Sequence, residues 1–390
     1  MISIDNARKW DRLLGIPLCW VISWFRIFSA KKNPSDLHIK KIVIIKMWGM
    51  GSLILLGPSA MALKKSFPDS EITLITLDPN RGLFDFNSEF REIKYMRLSS
   101  VFSLILDTFS LVRWTWNYKP DIIIDFETAS RYTAILSFIS YHKLSVGFSP
   151  AGSGKNIFDI TVPYHESVHV SDLFLRCIDG LNIKPPPKEW MSIPISEPNR
   201  NETDNWLKHN NITSFIIVNP NTSKLAEERL WPLEYMAQLI NHIHIKYPEL
   251  HIILIGNSFD KTRTEKLRSM TANKNLTIDS AGIFNINQLF YLIQCATVLI
   301  TNDSGPAQLG FLSQTPTITL YGPETSLLYG PNNNSLHKAL SANEPCSPCI
   351  SIFNDKVVSC SKNAICMKNL AVELVFREVQ DSLKHKMVTV

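Results

Sequence analysis

Residues 66–76 read SFPDSEITLIT and residues 246–256 read KYPELHIILIG, so one pattern of helix end, proline and apolar run occurs twice in the chain. In each copy a proline, Pro68 or Pro248, ends a helix, because it lacks the N–H that helical pairing requires. The β-branched run that follows is unbroken by polar residues, as in a strand covered on both faces, hence a parallel sheet between helices. Working outward, the first copy is preceded by KIVIIK (Lys41–Lys46), by Gly49 and Gly51, and by a helix near Pro58–Phe67. Strands at Asp121–Asp125 and Leu144–Phe148 follow it. The second copy is preceded by FIIVN (Phe215–Asn219) and a helix from about Pro232 to Lys246, with strand-like runs later at Val298–Thr301 and Thr315–Leu320. Two paired α/β units are the reading, with ligands expected beyond the carboxyl ends of their strands.

The 390 residues suffice for two core-bearing domains, and 45% apolar content with 20 Phe and 9 Trp excludes a disordered chain. A net charge of only +5, spread over the chain, provides no basic stripe, which argues against a nucleic-acid partner. Seven cysteines, an odd number, fit a reducing compartment, so a cytoplasmic location is expected. The run IKPPPKEWMSIPISEPNRNET, with five prolines from Pro185 to Pro198, reads as a linker unable to sustain a helix. The expected organisation is an N-terminal segment 1–38, a first domain 39–183, the linker 184–212, a second domain 213–366 and a final helical segment 367–390.

Leu13–Phe25 is uncharged and apolar, but its 13 residues fall short of the ~20 needed to cross a bilayer. Trp10, Trp20 and Trp24, followed by Arg26, Lys31, Lys32, Lys40 and Lys41, suit an amphipathic helix lying at the headgroup level of an anionic membrane surface. The alternative is an apolar helix packed on the first domain.

The strongest local pattern is Asn302-Asp303-Ser304-Gly305-Pro306-Ala307-Gln308, directly after a strand. Ser304 or Asp303 caps the next helix, Gly305 allows close backbone approach and Pro306 suits the first turn, which together describe an anion site at a helix start. Asp303 is expected to face a neutral donor there. Asn221, Thr222 and Arg229, around the next helix start, form a second loop able to grip a diphosphate, the guanidinium supplying charge. Gly256 and the Tyr321–Thr325 loop end two further strands on the same rim.

Taken together, KIVIIKMWGMGSLILLGPSAMALKKSFP, NPNTS…RLWP, LIGN, LITNDSGPAQLG and LYGPETS resemble glycosyltransferase family 9, the lipopolysaccharide heptosyltransferases. The resemblance runs from about Lys40 to the C-terminus and implies a GT-B fold, two Rossmann-like domains facing a central cleft, with the last helix, about Leu370–Lys384, crossing back. It further implies inverting transfer of a heptose from an ADP-activated donor to a lipid-linked core saccharide, with no cofactor or metal, by a peripheral protein on the inner face of the cytoplasmic membrane. The donor would lie against Asn221, Thr222, Arg229, Gly256, Asp303, Ser304, Gly305 and Pro306. Where the family commonly has Gly-Asp, the aspartate being its presumed base, this chain has Gly51-Ser52. Ser52 has no useful proton affinity near neutral pH, so it would orient an acceptor hydroxyl, leaving Asp125 or Glu127 to take the proton. Gln308 stands where histidine is usual, and Arg229 where lysine is usual. No two aspartates are separated by one residue, so the Asp-x-Asp device for a metal-bound diphosphate is absent.

Three rival readings are weaker. His165-Glu166-Ser167-Val168-His169 matches a zinc-hydrolase motif, but Pro163 puts both histidines in or before a first helical turn. Gly152-Ser-Gly-Lys155 lacks the outer glycine and the hydroxyl residue of a phosphate loop. Cys346, Cys349, Cys360 and Cys366 could bind a metal or form disulfides, and the resemblance favours a structural staple. A non-catalytic nucleotide-sugar-binding protein of the same fold is the alternative to an enzyme.

Overall fold

The computed structural model describes residues 4–28, 33–149, 157–223, 227–332, 334–354 and 360–388. Lys31, Lys32 and the Gly152–Lys155 run lie outside them. The chain divides into two compact units, Met1–Ser192 and Ile193–Val390.

The first unit holds six parallel strands, β1 (Lys41–Ile45), β2 (Glu71–Leu77), β3 (Glu92–Met96), β4 (Ile122–Asp125), β5 (Leu144–Phe148) and β6 (Ile160–Val162), in the order β3-β2-β1-β4-β5-β6. Ile42, Val43, Ile44 and Ile45 are all buried, as a strand covered on both faces requires. On one face Val43, Ile45 and Ile123 pack with Leu111 and Leu136 of the helices Val101–Tyr118 and Arg131–Ile139. The helices Gly57–Ser66 and Val170–Asp179 pack on each other elsewhere in the unit. The N-terminal helix Ile4–Arg26 lies along Arg131–Ile139 through Cys19 and Ile22. At Gly15 the two helices are so close that a Cβ would stand 2.6 Å from the Arg131 Cβ.

The second unit repeats this plan with β7 (Phe215–Asn219), β8 (His251–Leu254), β9 (Thr277–Asp279), β10 (Val298–Asn302), β11 (Thr317–Tyr321) and β12 (Lys338–Ser341), in the order β12-β11-β10-β7-β8-β9. Read from the other edge, that is the same topology, so both units are Rossmann-like and the expected fold class holds. In each, the strand order reverses beside the first strand, between β1 and β4 and between β7 and β10, where a doubly wound sheet opens a crevice.

One expectation needs correction. The proline-rich stretch does carry a helix, Glu197–His209: Ser196 caps it by accepting from the Asn199 N–H, and Pro198 occupies the first turn, where a missing N–H costs nothing. The last helix, Val372–Val388, is an integral part of the second unit, with Val375, Val379 and Leu383 buried in its core. Fully buried Trp231 joins that core and donates its indole N–H to the Leu370 carbonyl at 3.0 Å.

Candidate functional site

At the crevice of the second unit, β7 and β10 each end in asparagine. Asn219 donates from Nδ2 to Thr301 Oγ1 at 2.9 Å and to Ser304 Oγ at 3.0 Å, tying the two loops together. Asn302 accepts the Trp231 backbone N–H at 3.0 Å, which fixes the RLWP segment against β10. Both asparagines open the loop motifs read as candidate sites, but neither was expected to contact the donor. Their signal was present in the sequence, since FIIVN and VLITN each end an apolar strand in a buried amide.

The helix Gly305–Ser313 starts at this crevice with Ser304 as its N-cap residue and Pro306 in the first turn. Ser304 makes no side-chain cap; its hydroxyl donates instead to the Asn302 carbonyl at 3.0 Å. No acidic residue lies in the first turn itself, and the carboxylate just before it, Asp303, is paired with Arg229. Arg229, in the short 3-10 turn Glu227–Arg229, points to this start: its Nη1 lies 3.3 Å from Asp303 Oδ2 and its Nη2 donates to Ser223 Oγ at 2.8 Å. Asp303 therefore faces a cation rather than the neutral donor expected. The buried carboxylate needs a compensating charge, and the adjacent guanidinium is the group that supplies it.

Beside them Asn221 Oδ1 and Thr222 Oγ1 are buried with no hydrogen-bond partner. Buried polar atoms are almost always paired, so these two are left able to bond a further group. Asn221 is held by its other amide atom, Nδ2 donating to the Ile255 carbonyl at 2.9 Å. Gly256 makes that possible: a Cβ there would stand 2.7 Å from Asn221 Nδ2 and 2.8 Å from the Asp260 Cβ. Gln308 is occupied, donating to the Tyr329 carbonyl at 2.7 Å, and so steadies the loop after β11. Burial, with Asp303 and Glu324 nearby, keeps the Tyr321 phenol protonated far above its ordinary range.

At the corresponding crevice of the first unit the loops are tied by an internal ion pair. Glu127 Oε1 accepts from Lys46 Nζ and from the backbone N–H groups of Met47 and Trp48, each at 2.7 Å. Asp125, expected near an acceptor, is fully buried: its Oδ1 accepts the Glu127 N–H at 2.9 Å, and burial pushes its carboxyl up to about 8. It supports the loop from below and presents no oxygen at its surface. Ser52 sits half-buried in the first turn of the short helix Met50–Leu55.

The zinc-hydrolase motif is not formed. His165 lies in a loop and His169 is the N-cap residue of Val170–Asp179, its Nδ1 2.7 Å from Ser171 Oγ, so the two imidazoles do not share a helical face. No disulfide joins any of the seven cysteines, so the last four form no disulfide staple in this structure. Burial first, then the nearby Cys360 and Cys346, raise the Cys349 thiol. Among the described residues no three His, Cys, Asp or Glu side chains are grouped to hold a metal ion.

Residues 110–356 match the model of glycosyltransferase family 9 (heptosyltransferase). The chain belongs to this family. As a family 9 member it is a glycosyltransferase. It is 25% identical over 301 residues to the lipopolysaccharide core heptosyltransferase OpsX of Haemophilus influenzae, covering 76% of this chain and 82% of that protein. Among solved structures, a family 9 glycosyltransferase from Veillonella parvula superposes with a TM-score of 0.74 at 21% identity, covering 90% of this chain and 99% of that one. The E. coli ADP-heptose lipopolysaccharide heptosyltransferase II gives 0.70 at 15% identity, covering 90% and 100%. These two likenesses fix the family's GT-B fold for this chain.

Proposed function

We propose that this glycosyltransferase moves a heptose from ADP-heptose to a hydroxyl of a lipid-linked core oligosaccharide in lipopolysaccharide biosynthesis, with inversion and without a metal ion. The observation that carries the proposal is the Arg229 guanidinium lying at the start of the helix Gly305–Ser313, beside Asp303 and Ser304. As the glycosidic bond breaks, negative charge grows on the departing diphosphate, and a helix N-terminus together with a guanidinium stabilises it where it develops. Thr222 Oγ1 donates to a phosphate oxygen, and Asn221 Oδ1 accepts from a donor hydroxyl or amine. Asp303 holds Arg229 in place until the diphosphate arrives. The name of the E. coli relative, an ADP-heptose enzyme, supports the donor, and the missing Asp-x-Asp pair supports a metal-free route.

The acceptor gathers at Gly51 and Ser52, Ser52 orienting its hydroxyl, and Asp125 acts as a positioning residue beneath Glu127. The enzyme works at the cytoplasmic face of the membrane, held there by the Trp-rich helix Ile4–Arg26. The test is transfer from a panel of nucleotide sugars to a lipid-linked core acceptor, with and without a chelator. Transfer from ADP-heptose is expected to survive chelation and to give a product of inverted anomeric configuration. Arg229→Ala is expected to lower kcat by about 10²–10³. Preference for a uridine or guanosine donor, or loss of activity on chelation, overturns the proposal.

A further inference from the structure

We propose that the membrane-facing surface of this enzyme is built from two helices, with Val101–Tyr118 adding a second apolar stripe to that of Ile4–Arg26, and that the composite surface takes an anionic lipid bilayer; the inference rests on the membrane reading above. The N-terminal helix is assembled inside out. Its charged Asp11 faces the protein and accepts the Tyr132 backbone N–H at 2.7 Å and the Arg131 Nη1 at 3.2 Å. At its other end Arg26 is ion-paired with Asp159 and donates to Ser145 Oγ at 3.2 Å. Its outward side holds Trp10, Leu13, Leu14, Trp20, Trp24 and Phe25, each more than half exposed.

Val101–Tyr118 is apolar on both sides. Leu111 and Thr115 are buried beneath it, whereas Phe102 (70% exposed), Ile105, Phe109 (72%) and Trp116 stand outward at spacings of three, four and seven, a single stripe. The two stripes are aligned by the helix between them, Arg131–Ile139. At one end Tyr132 bonds Asp11 through its N–H and lies 2.6 Å from Thr108 Oγ1 through its hydroxyl. At the other end Trp116 Nε1 donates to the Ile139 carbonyl at 3.3 Å, and the Arg26 guanidinium lies 5.6 Å from the Phe138 ring centre. Both outer helices are thus fixed at two points to one middle helix, and exposed Phe138 and Ile139 bridge their stripes.

Charge selects the occupant. Lys9, Arg12 and Arg113 are exposed around the stripes, while Asp11 is turned inward and Asp107 is spent on Arg97. Aromatic rings beside the exposed cations Lys9 and Arg113 match the headgroup level of an anionic leaflet, and a second copy of the chain would bring cation against cation. No described helix is long and apolar enough to cross a membrane, so the surface engages by lying on it.

The test is co-sedimentation of the full chain with phosphatidylglycerol-containing vesicles and with phosphatidylcholine vesicles, for the wild type, Phe102→Gln/Phe109→Gln and Trp20→Gln/Trp24→Gln. The wild type should prefer the anionic vesicles, and each double variant should lower partitioning by about tenfold. Thermal transitions and transfer to a lipid-free acceptor should stay unchanged, because the replaced side chains are exposed. If F102Q/F109Q sediments like the wild type while W20Q/W24Q does not, the second stripe is refuted and the one-helix anchor stands. If the wild type binds no vesicle, the membrane reading itself fails and this proposal with it. A dimer that F102Q/F109Q dissociates would make a second copy the occupant and overturn it as well.

Discussion

The two crevices of this enzyme share one topology and differ in what fills them. Between β1 and β4 the Glu127 carboxylate accepts from Lys46 and two backbone donors, and the unpartnered buried oxygen beneath it, Asp125 Oδ2, is sealed from the surface. Between β7 and β10 the loops are tied by Asn219, yet Asn221 Oδ1 and Thr222 Oγ1 stay unpartnered and the positive helix start carries no acidic cap. The same strand order therefore carries an internal ion pair in one unit and, on the function proposed above, the donor site in the other. Unsatisfied buried polarity destabilises a free protein, and a site that retains it gains selectivity for a ligand that completes the bonds.

That contrast can be broken at Glu127. Glu127→Leu leaves the Lys46 ammonium buried without its partner and should lower stability by about 3–5 kcal/mol in denaturant titration. A loss below about 1 kcal/mol would mean that the first crevice is not held by this pair.

Asp125 gives the frame a pH signature. Its folded carboxyl titrates at about 8 against 3.8 when free, so unfolding releases a proton between those values and stability falls as pH rises through that window. The contribution is fully present below 3.8 and lost above about 8. Asp125→Asn should flatten the dependence by about 1.4 kcal/mol per pH unit, read from denaturation at pH 6, 7 and 8. A variant with the wild-type slope would place the titration elsewhere.

In the second unit substitutions should act on the donor before they act on the fold. Gly256→Ala forces the Asn221 amide to move and should cost about 1–3 kcal/mol, seen mainly as a raised donor KM. Thr222→Val removes a hydroxyl that has no partner in the free chain. Stability should be unchanged or slightly improved, while donor affinity falls by about tenfold, the worth of one hydrogen bond. Reduced stability with unchanged donor affinity would erase the distinction between the two crevices.

Much of this was legible in the sequence, for identifiable reasons. The sheets announced themselves because runs such as KIVII and FIIVN have no polar face, and the start of the helix Gly305–Ser313 did so because Ser-Gly-Pro directly after a strand suits a helix's first turn. What stayed hidden depends on long-range partners. The Arg229 contact with Asp303 joins residues on separate loops, and the burial of Asp125 follows from neighbours on β1 and Arg131–Ile139 rather than from its own strand. Val101–Tyr118 was missed because VFSLILDTFSLVRW is apolar on its inward and outward sides alike, which erases the single stripe by which an amphipathic helix is recognised. Glu197–His209 was missed because its proline falls in the first turn, the one place in a helix that tolerates it.

Asp11 and Arg26 peg the N-terminal helix to the protein at both ends, so it cannot fold its tryptophans inward. On the membrane reading proposed above, the free enzyme would carry its greasy side uncovered between encounters, and each excursion into water would be penalised. Residence near the bilayer would then be the default state, with local lipid charge and ionic strength deciding how long it lasts.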